Sequence, residues 1–151
     1  MEFTGEMEVK FDAKSENEGF ARVAVAAFIT QMNPTLEEID DVKTAVSEAV
    51  TNAIIHGYEN KEGKITILCR IAEDELYIEV EDQGIGMGDV EEAMQPMFTT
   101  KPELDRSGMG FVFMEAFMDL VQVESVKGNG TKVKMKKRIG VQKEEWTTQS
   151  L

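Results

Sequence analysis

Glu48 and Asn52 lie within a largely apolar stretch, Ala45-Val-Ser-Glu48-Ala-Val-Thr-Asn52-Ala-Ile-Ile-His-Gly57. Spaced i, i+4, they project from one side of a helix, one turn apart. A carboxylate and a carboxamide so placed can hold a divalent ion and aim a nucleophile. Taken alone, the pair also reads as a solvated Glu beside an Asn that hydrogen-bonds locally. Two glycine motifs follow. In Asp82-Gln-Gly84-Ile-Gly86 a carboxylate at a strand end can accept a hydrogen bond from an exocyclic amine. The glycines let backbone approach a planar ring, though the same residues also suit an ordinary acidic turn. In Ser107-Gly108-Met-Gly110 a helix opens on exposed amides, which suits phosphate. A flexible hinge before a helix is the other reading of that motif.

The elements that must position these residues are legible from periodicity and punctuation. Glu8–Ala13 alternates polar and apolar residues, as a half-buried strand does. Ser15-Glu-Asn-Glu18 has the form of a capping box and opens a helix to about Met32, with Phe20, Val23, Ala24, Ala27 and Phe28 as its buried stripe. Asn33-Pro34 stops it. Thr35-Leu-Glu-Glu38 is a second capping box, opening the helix that carries Glu48 and Asn52, with Gly57 as its C-cap. On that helix Ile39, Val42, Val46, Ala49, Val50 and Ala53 form the core stripe; Asn52 falls at its edge and Glu48 somewhat beyond, lining a groove.

Strands are expected over 64–71 and 76–81, joined by the turn Ala72-Glu-Asp-Glu75. Residues 83–107 have no sustained period, and a segment that long and irregular is a lid or disordered. Gly110–Leu120 reads as a short apolar helix. Val121–Val126 and Thr131–Arg138 form a hairpin through Lys127-Gly-Asn-Gly130. Lys132–Arg138 reads as a strand with a solvated basic face. This order predicts an α/β two-layer sandwich, a mixed β-sheet with helices on one face. The expected domain runs over 8–138, followed by a polar tail at 139–151.

A chain of 151 residues with 42% apolar and 30% charged content builds one ordinary globular core. The net charge of −13 disfavours direct nucleic-acid binding, which needs a basic surface. The single cysteine, Cys69, stands among apolar residues and reads as core. No apolar run approaches the ~20 residues of a membrane span, and Met-Glu-Phe-Thr-Gly-Glu lacks the form of a signal peptide. A cytoplasmic protein is expected. His56, the only histidine, sits where a cation suits the helix C-terminal dipole and reads as structural. The ten methionines are scattered, as core residues are.

In combination, Glu-x-x-x-Asn on a helix, Asp-x-Gly-x-Gly after a strand, a long lid and Gly-x-Gly before a helix resemble the GHKL ATPases. Their ATP-binding sandwich is the Bergerat fold. The resemblance spans residues 8–138. Within it, Ser15-Glu-Asn-Glu-Gly-Phe-Ala-Arg22, Ser47-Glu-Ala-Val-Thr-Asn-Ala-Ile-Ile-His-Gly-Tyr58, Phe98-Thr-Thr-Lys-Pro-Glu103 and Arg106-Ser-Gly-Met-Gly-Phe111 look closest to the anti-sigma factor serine kinases of spore-forming bacteria.

That resemblance implies ATP/ADP and Mg²⁺ as cofactors, with Asn52 ligating the metal and Glu48 the general base. Asp82 would recognise the adenine amine, beside Gly84 and Gly86, with Thr131 assisting. Gly108 and Gly110 would give amides to the phosphates. Thr99, Lys101, Arg106 and Ser107 would close over them, Arg106 neutralising charge on the γ-phosphoryl group. Arg22 matches a partner-contacting arginine. The implied partners are a sigma factor, an anti-anti-sigma protein phosphorylated on serine, and a second copy in a homodimer. The acidic surface suits capture of basic sigma-factor segments.

Three other readings stay open. One is a switch kinase of the same fold acting on a stress-response sigma factor. Another is the detached catalytic domain of a sensor histidine kinase, although nothing resembles a dimerisation helix with a phospho-accepting histidine. The third is a nucleotide-gated binding module, against which Glu48 argues, since binding alone needs no base.

Overall fold

The computed structural model describes residues 2–87, 90, 94 and 110–140. In chain order these form β1 (Gly5–Asp12), α1 (Glu16–Ile29), a 3-10 turn (Thr30–Met32), α2 (Leu36–Asn52) and a π-helical turn (Ala53–Gly57). There follow β2 (Lys64–Ala72), β3 (Glu75–Asp82), α3 (Gly110–Phe117), β4 (Leu120–Ser125) and β5 (Thr131–Arg138). The sheet order is β1-β2-β3-β5-β4. The two-layer α/β sandwich is as expected. The mixed sheet is not: every neighbouring pair is antiparallel. The crossover through α3 does send β4 along the direction of β3, but the hairpin returns β5 into the gap between them. Strands of like direction therefore never become neighbours.

Period-2 alternation divides the sheet into two faces. Ile65, Ile67 and Cys69 of β2, Leu76, Ile78 and Val80 of β3, and Val133 and Met135 of β5 are buried on the helix side. They meet Ala21, Val25 and Ile29 of α1, Val42, Ala45, Val46, Ala49 and Val50 of α2, and Phe111 and Met114 of α3. Burial pushes the Cys69 thiol up to about 12, as befits an inert core residue. On the outer face, Glu81 stands opposite Lys132 and Glu79 opposite Lys134. The basic residues of β5 are thus matched by acidic neighbours, with Lys134 also 2.8 Å from Glu124. Lys137 departs from that face: it is largely buried and donates to the Phe117 carbonyl at the end of α3, at 2.7 Å.

Three local expectations are corrected. α1 buries Ala21, Val25 and Ile29, whereas Phe20 and Val23 are 49% and 66% exposed. That helix is apolar nearly all round, so periodicity could not choose its face; small Ala21 permits the closer approach. Ser15 makes no side-chain cap. Its intended partner, Glu18, instead accepts hydrogen bonds from Ser47 Oγ at 2.5 Å and Thr51 Oγ1 at 3.2 Å on α2. Gly57 is not a C-cap but the last residue of the π turn.

The second capping box forms as read. Thr35 N–H donates to Glu38 Oε1 at 2.8 Å and Glu38 N–H to Thr35 Oγ1 at 3.0 Å, worth about 1 kcal/mol. Glu38 also accepts from Gly140 N–H, tying the end of the described chain to the start of α2. The box fixes the register from which Glu48 and Asn52 are presented.

Candidate functional site

Four turns into α2, Glu48 and Asn52 are half-buried at the edge of the core stripe, as the helical wheel places them. Gly110, the first residue of α3, sits directly against them. A methyl group there would lie 3.1 Å from Asn52 Nδ2 and 3.2 Å from Glu48 Oε2. A side chain there would push the Asn52 and Glu48 side-chain ends back by a few tenths of an ångström, so glycine gives the helix start its close approach to both. The N-terminal amides of α3 favour an anion at this spot, while Glu48 repels one. A phosphate group fits if it arrives with its own cation. Among the described residues, no group of three or more His, Cys, Asp or Glu side chains is placed to hold a metal ion. The local donors, a carboxamide oxygen and one carboxylate, suit Mg²⁺, which is commonly held by one or two protein ligands plus phosphate oxygens and water.

From Asn52 the helix passes straight into the π turn, closed by Tyr58 N–H to Ala53 O at 2.9 Å. Such turns often mark functional sites. Here the turn brings Gly57 beneath the end of β3. The Gly57 carbonyl accepts from Ile85 N–H at 2.9 Å. A methyl at Gly57 would come within 2.8 Å of the Asp82 carboxylate, and one at Gly84 within 2.0 Å of Gly57 O. Tyr58 spans the same junction, donating to Lys64 O at 2.6 Å and accepting from Gln83 N–H at 2.7 Å.

Asp82 is only 5% exposed. Burial raises its pKa; hydrogen bonds from the backbone N–H groups of Gly84 and Thr131 oppose the rise, and the charge of Glu81 adds to it. The Gly84 bond, to Oδ1, is 2.9 Å long. Thr131, 7% exposed, is its cross-strand partner on β5. The β4–β5 hairpin packs sideways onto this glycine loop: Gly128 N–H donates to Ile85 O at 2.5 Å. Gly86, at φ 71°, leaves no room for a side chain, since a methyl there would meet Val126 O at 2.3 Å. The result is a buried acceptor at a strand end, bordered by bare backbone, one π turn away from the Glu48/Asn52/Gly110 cluster.

The structure thus brings Glu48, Asn52 and Gly110 together, and separately Asp82, Gly84, Gly86 and Thr131. Arg22 is on the exposed side of α1, beside Val23 and near Phe20. His56 is half-buried in the π turn. Thr99, Lys101, Arg106, Ser107 and Gly108 lie outside the described residues, as does most of the expected lid. Sequence reasoning missed Gly57, Tyr58, Ser125 and Gly130 as parts of the site. Gly130 precedes Thr131 immediately, and a methyl on it would meet Asp82 O at 2.1 Å. Its place beside Thr131 was the available signal.

Residues 11–137 match the histidine kinase-like ATPase domain family. A Clostridium acetobutylicum anti-sigma F factor is 64% identical over 135 residues, covering 89% of this chain and 94% of that protein. This chain belongs to the anti-sigma F factor family. An anti-sigma F factor from a Thermoanaerobacter species is 59% identical over 143 residues, covering 95% of this chain and all (100%) of that protein. Two solved structures share the fold. The RsbU and RsbW domains of a Mycobacterium tuberculosis protein match with a TM-score of 0.65 at 20% identity, covering 90% of this chain and 33% of that one. The catalytic domain of the histidine kinase ThkA matches with a TM-score of 0.55 at 20% identity, covering 92% of this chain and 98% of that one. A nucleotide-binding ATPase fold within an anti-sigma factor kinase family follows. Among the described residues no helix is long and apolar enough to cross a membrane.

Proposed function

We propose that the chain is a cytoplasmic anti-sigma factor and protein-serine kinase. Loaded with adenine nucleotide, it sequesters a sporulation sigma factor; with Mg-ATP it phosphorylates its anti-anti-sigma partner on serine. The observation that carries this reading is the seating of Gly110 against Glu48 and Asn52, which joins an anion-binding helix start to a base and a metal-ligand candidate.

In this reading Asp82 accepts a hydrogen bond from the adenine amine, Thr131 assists, and Gly84 and Gly86 allow backbone beside the ring. Amides of Gly108 and Gly110 hold the phosphates. Thr99, Lys101 and Ser107 close over them, and Arg106 offsets charge gathering on the γ-phosphoryl oxygens. Asn52 would hold Mg²⁺, which when bound neutralises phosphate charge. Glu48 takes the proton of the partner's serine hydroxyl. The serine oxygen bonds to the γ-phosphorus as the bond to the bridging oxygen breaks, and ADP leaves. Positioning and electrostatic stabilisation supply most of the acceleration in such transfers.

The exposed apolar side chains around Arg22 support a partner contact on α1. The charge of −13 supports a basic partner segment, as in a sigma factor. A homodimer completes the proposal. The test is incubation with γ-labelled ATP and the anti-anti-sigma protein, followed by identification of the labelled residue. Label on serine is expected. Label on histidine would instead favour sensor-kinase chemistry, and no transfer a nucleotide-gated binding module.

A further inference from the structure

The β4–β5 hairpin holds a second hydroxyl against Thr131. Ser125, the last residue of β4, is its register partner across the hairpin. Its Oγ accepts from Met87 N–H at 2.7 Å, lies 3.1 Å from Gly130 O and 2.8 Å from Thr131 Oγ1. A serine hydroxyl has one proton to give and two lone pairs to receive. The Met87 amide can only donate and the Gly130 carbonyl can only accept. All three contacts coexist in one arrangement alone: Ser125 gives its proton to Gly130 and receives those of Met87 and Thr131. The Thr131 proton is then committed inward, and Thr131 Oγ1 offers only lone pairs to a ligand. Ionised Asp82, its neighbour across β3 and β5, likewise offers only lone pairs.

We propose that Ser125 is a specificity-determining residue of the base site. By holding the Thr131 proton inward it makes Asp82 and Thr131 a double-acceptor edge. That edge takes the hydrogens of a 6-amino purine and turns away a 6-oxo purine, whose oxygen would face lone pairs on both sides. The inference rests on the reading of Asp82 and Thr131 as the base site. It adds a residue that touches no nucleotide and acts through Thr131.

The test is calorimetric titration of the full chain with ATP and with ITP, the 6-oxo analogue. Wild type should prefer ATP. Ser125→Ala frees the Thr131 hydroxyl to donate, so the ATP/ITP preference should shrink about five- to tenfold, the worth of one neutral hydrogen bond. Ser125→Thr keeps the hydroxyl and should retain the preference. In a Thr131→Val background, Ser125→Ala should leave the ratio unchanged. An unchanged ratio in Ser125→Ala, equal weakening of both nucleotides, or a full effect without the Thr131 hydroxyl would each overturn the proposal. So would a loss of preference in Ser125→Thr as large as in Ser125→Ala. A wild type that binds ATP and ITP equally would instead remove the base-site reading itself.

Discussion

Replacing Gly57 by Ala isolates the contact between the π turn and Asp82. Gly57 does not adopt a left-handed φ, so alanine brings no backbone strain there. The new methyl would lie 2.8 Å from both Cγ and Oδ1 of Asp82. To restore ordinary contact, at 3.4 Å, the carboxylate must retreat by about 0.6 Å. A retreat of that size along the 2.9 Å bond from Gly84 N–H lengthens it to about 3.5 Å, where little of it remains. The same displacement takes the Asp82 carboxylate out of reach of the adenine amine proposed to bind it. Losing that hydrogen bond to a charged group costs about 1.5–3 kcal/mol, so ATP affinity should fall by roughly 10- to 160-fold. Overpacking adds a destabilisation of about 1–3 kcal/mol, which leaves a foldable protein. Calorimetric titration with ATP, with thermal unfolding in parallel, reads both effects. A folded Gly57→Ala protein with wild-type ATP affinity would refute the link between the π turn and the base acceptor.

Gly19 gives the converse case: it lies within α1, and a methyl there meets nothing within 4 Å. Gly19→Ala should stabilise the fold by about 0.5–1 kcal/mol, raising the unfolding midpoint with ATP affinity unchanged. Burial raises the Asp82 pKa above its ordinary 3.8, so ATP affinity should fall on acidification from a higher pH than an exposed carboxylate allows. Its effect on stability has the opposite sense. The protonated form is favoured by folding, and that contribution is lost as pH rises from 3.8 through the raised folded value. Affinity measured against pH in wild type and Asp82→Asn checks this, with the acid limb absent in the variant. Asn52→Ala should weaken ATP binding in the presence of Mg²⁺ and make it largely insensitive to that ion, as titrations with and without chelator would show.

Strand and helix positions were legible because each rested on a local cause. The Thr35–Glu38 box set α2, and alternation set β2, β3 and β5. The Glu48/Asn52 pair was legible as a groove-lining couple because α2 has a clear apolar stripe. α1 was not, because residues 20–29 are apolar on every side and only tertiary packing selects Ala21, Val25 and Ile29. Glu18 looked like a cap because spacing cannot show that Ser47 and Thr51 compete for it. The sheet's directions depended on β5 entering between β3 and β4, a long-range choice with no local trace. Gly57 illustrates the remaining gap. It read as a helix stop, whereas what it accommodates is Asp82, twenty-five residues onward and visible only once β3 is folded against the π turn.

The division of labour between Glu48 and Asn52 is tested most directly by phosphoryl transfer in Glu48→Gln. At saturating Mg-ATP, single-turnover transfer to the anti-anti-sigma protein should fall by about 10²- to 10⁴-fold, the worth of a general base. ATP should still bind at least as tightly as to wild type, because the change removes a negative charge beside the proposed phosphate site at Gly110. Transfer at the wild-type rate, or loss of ATP binding as severe as in Asn52→Ala, would contradict the assignment of Glu48 to the nucleophile.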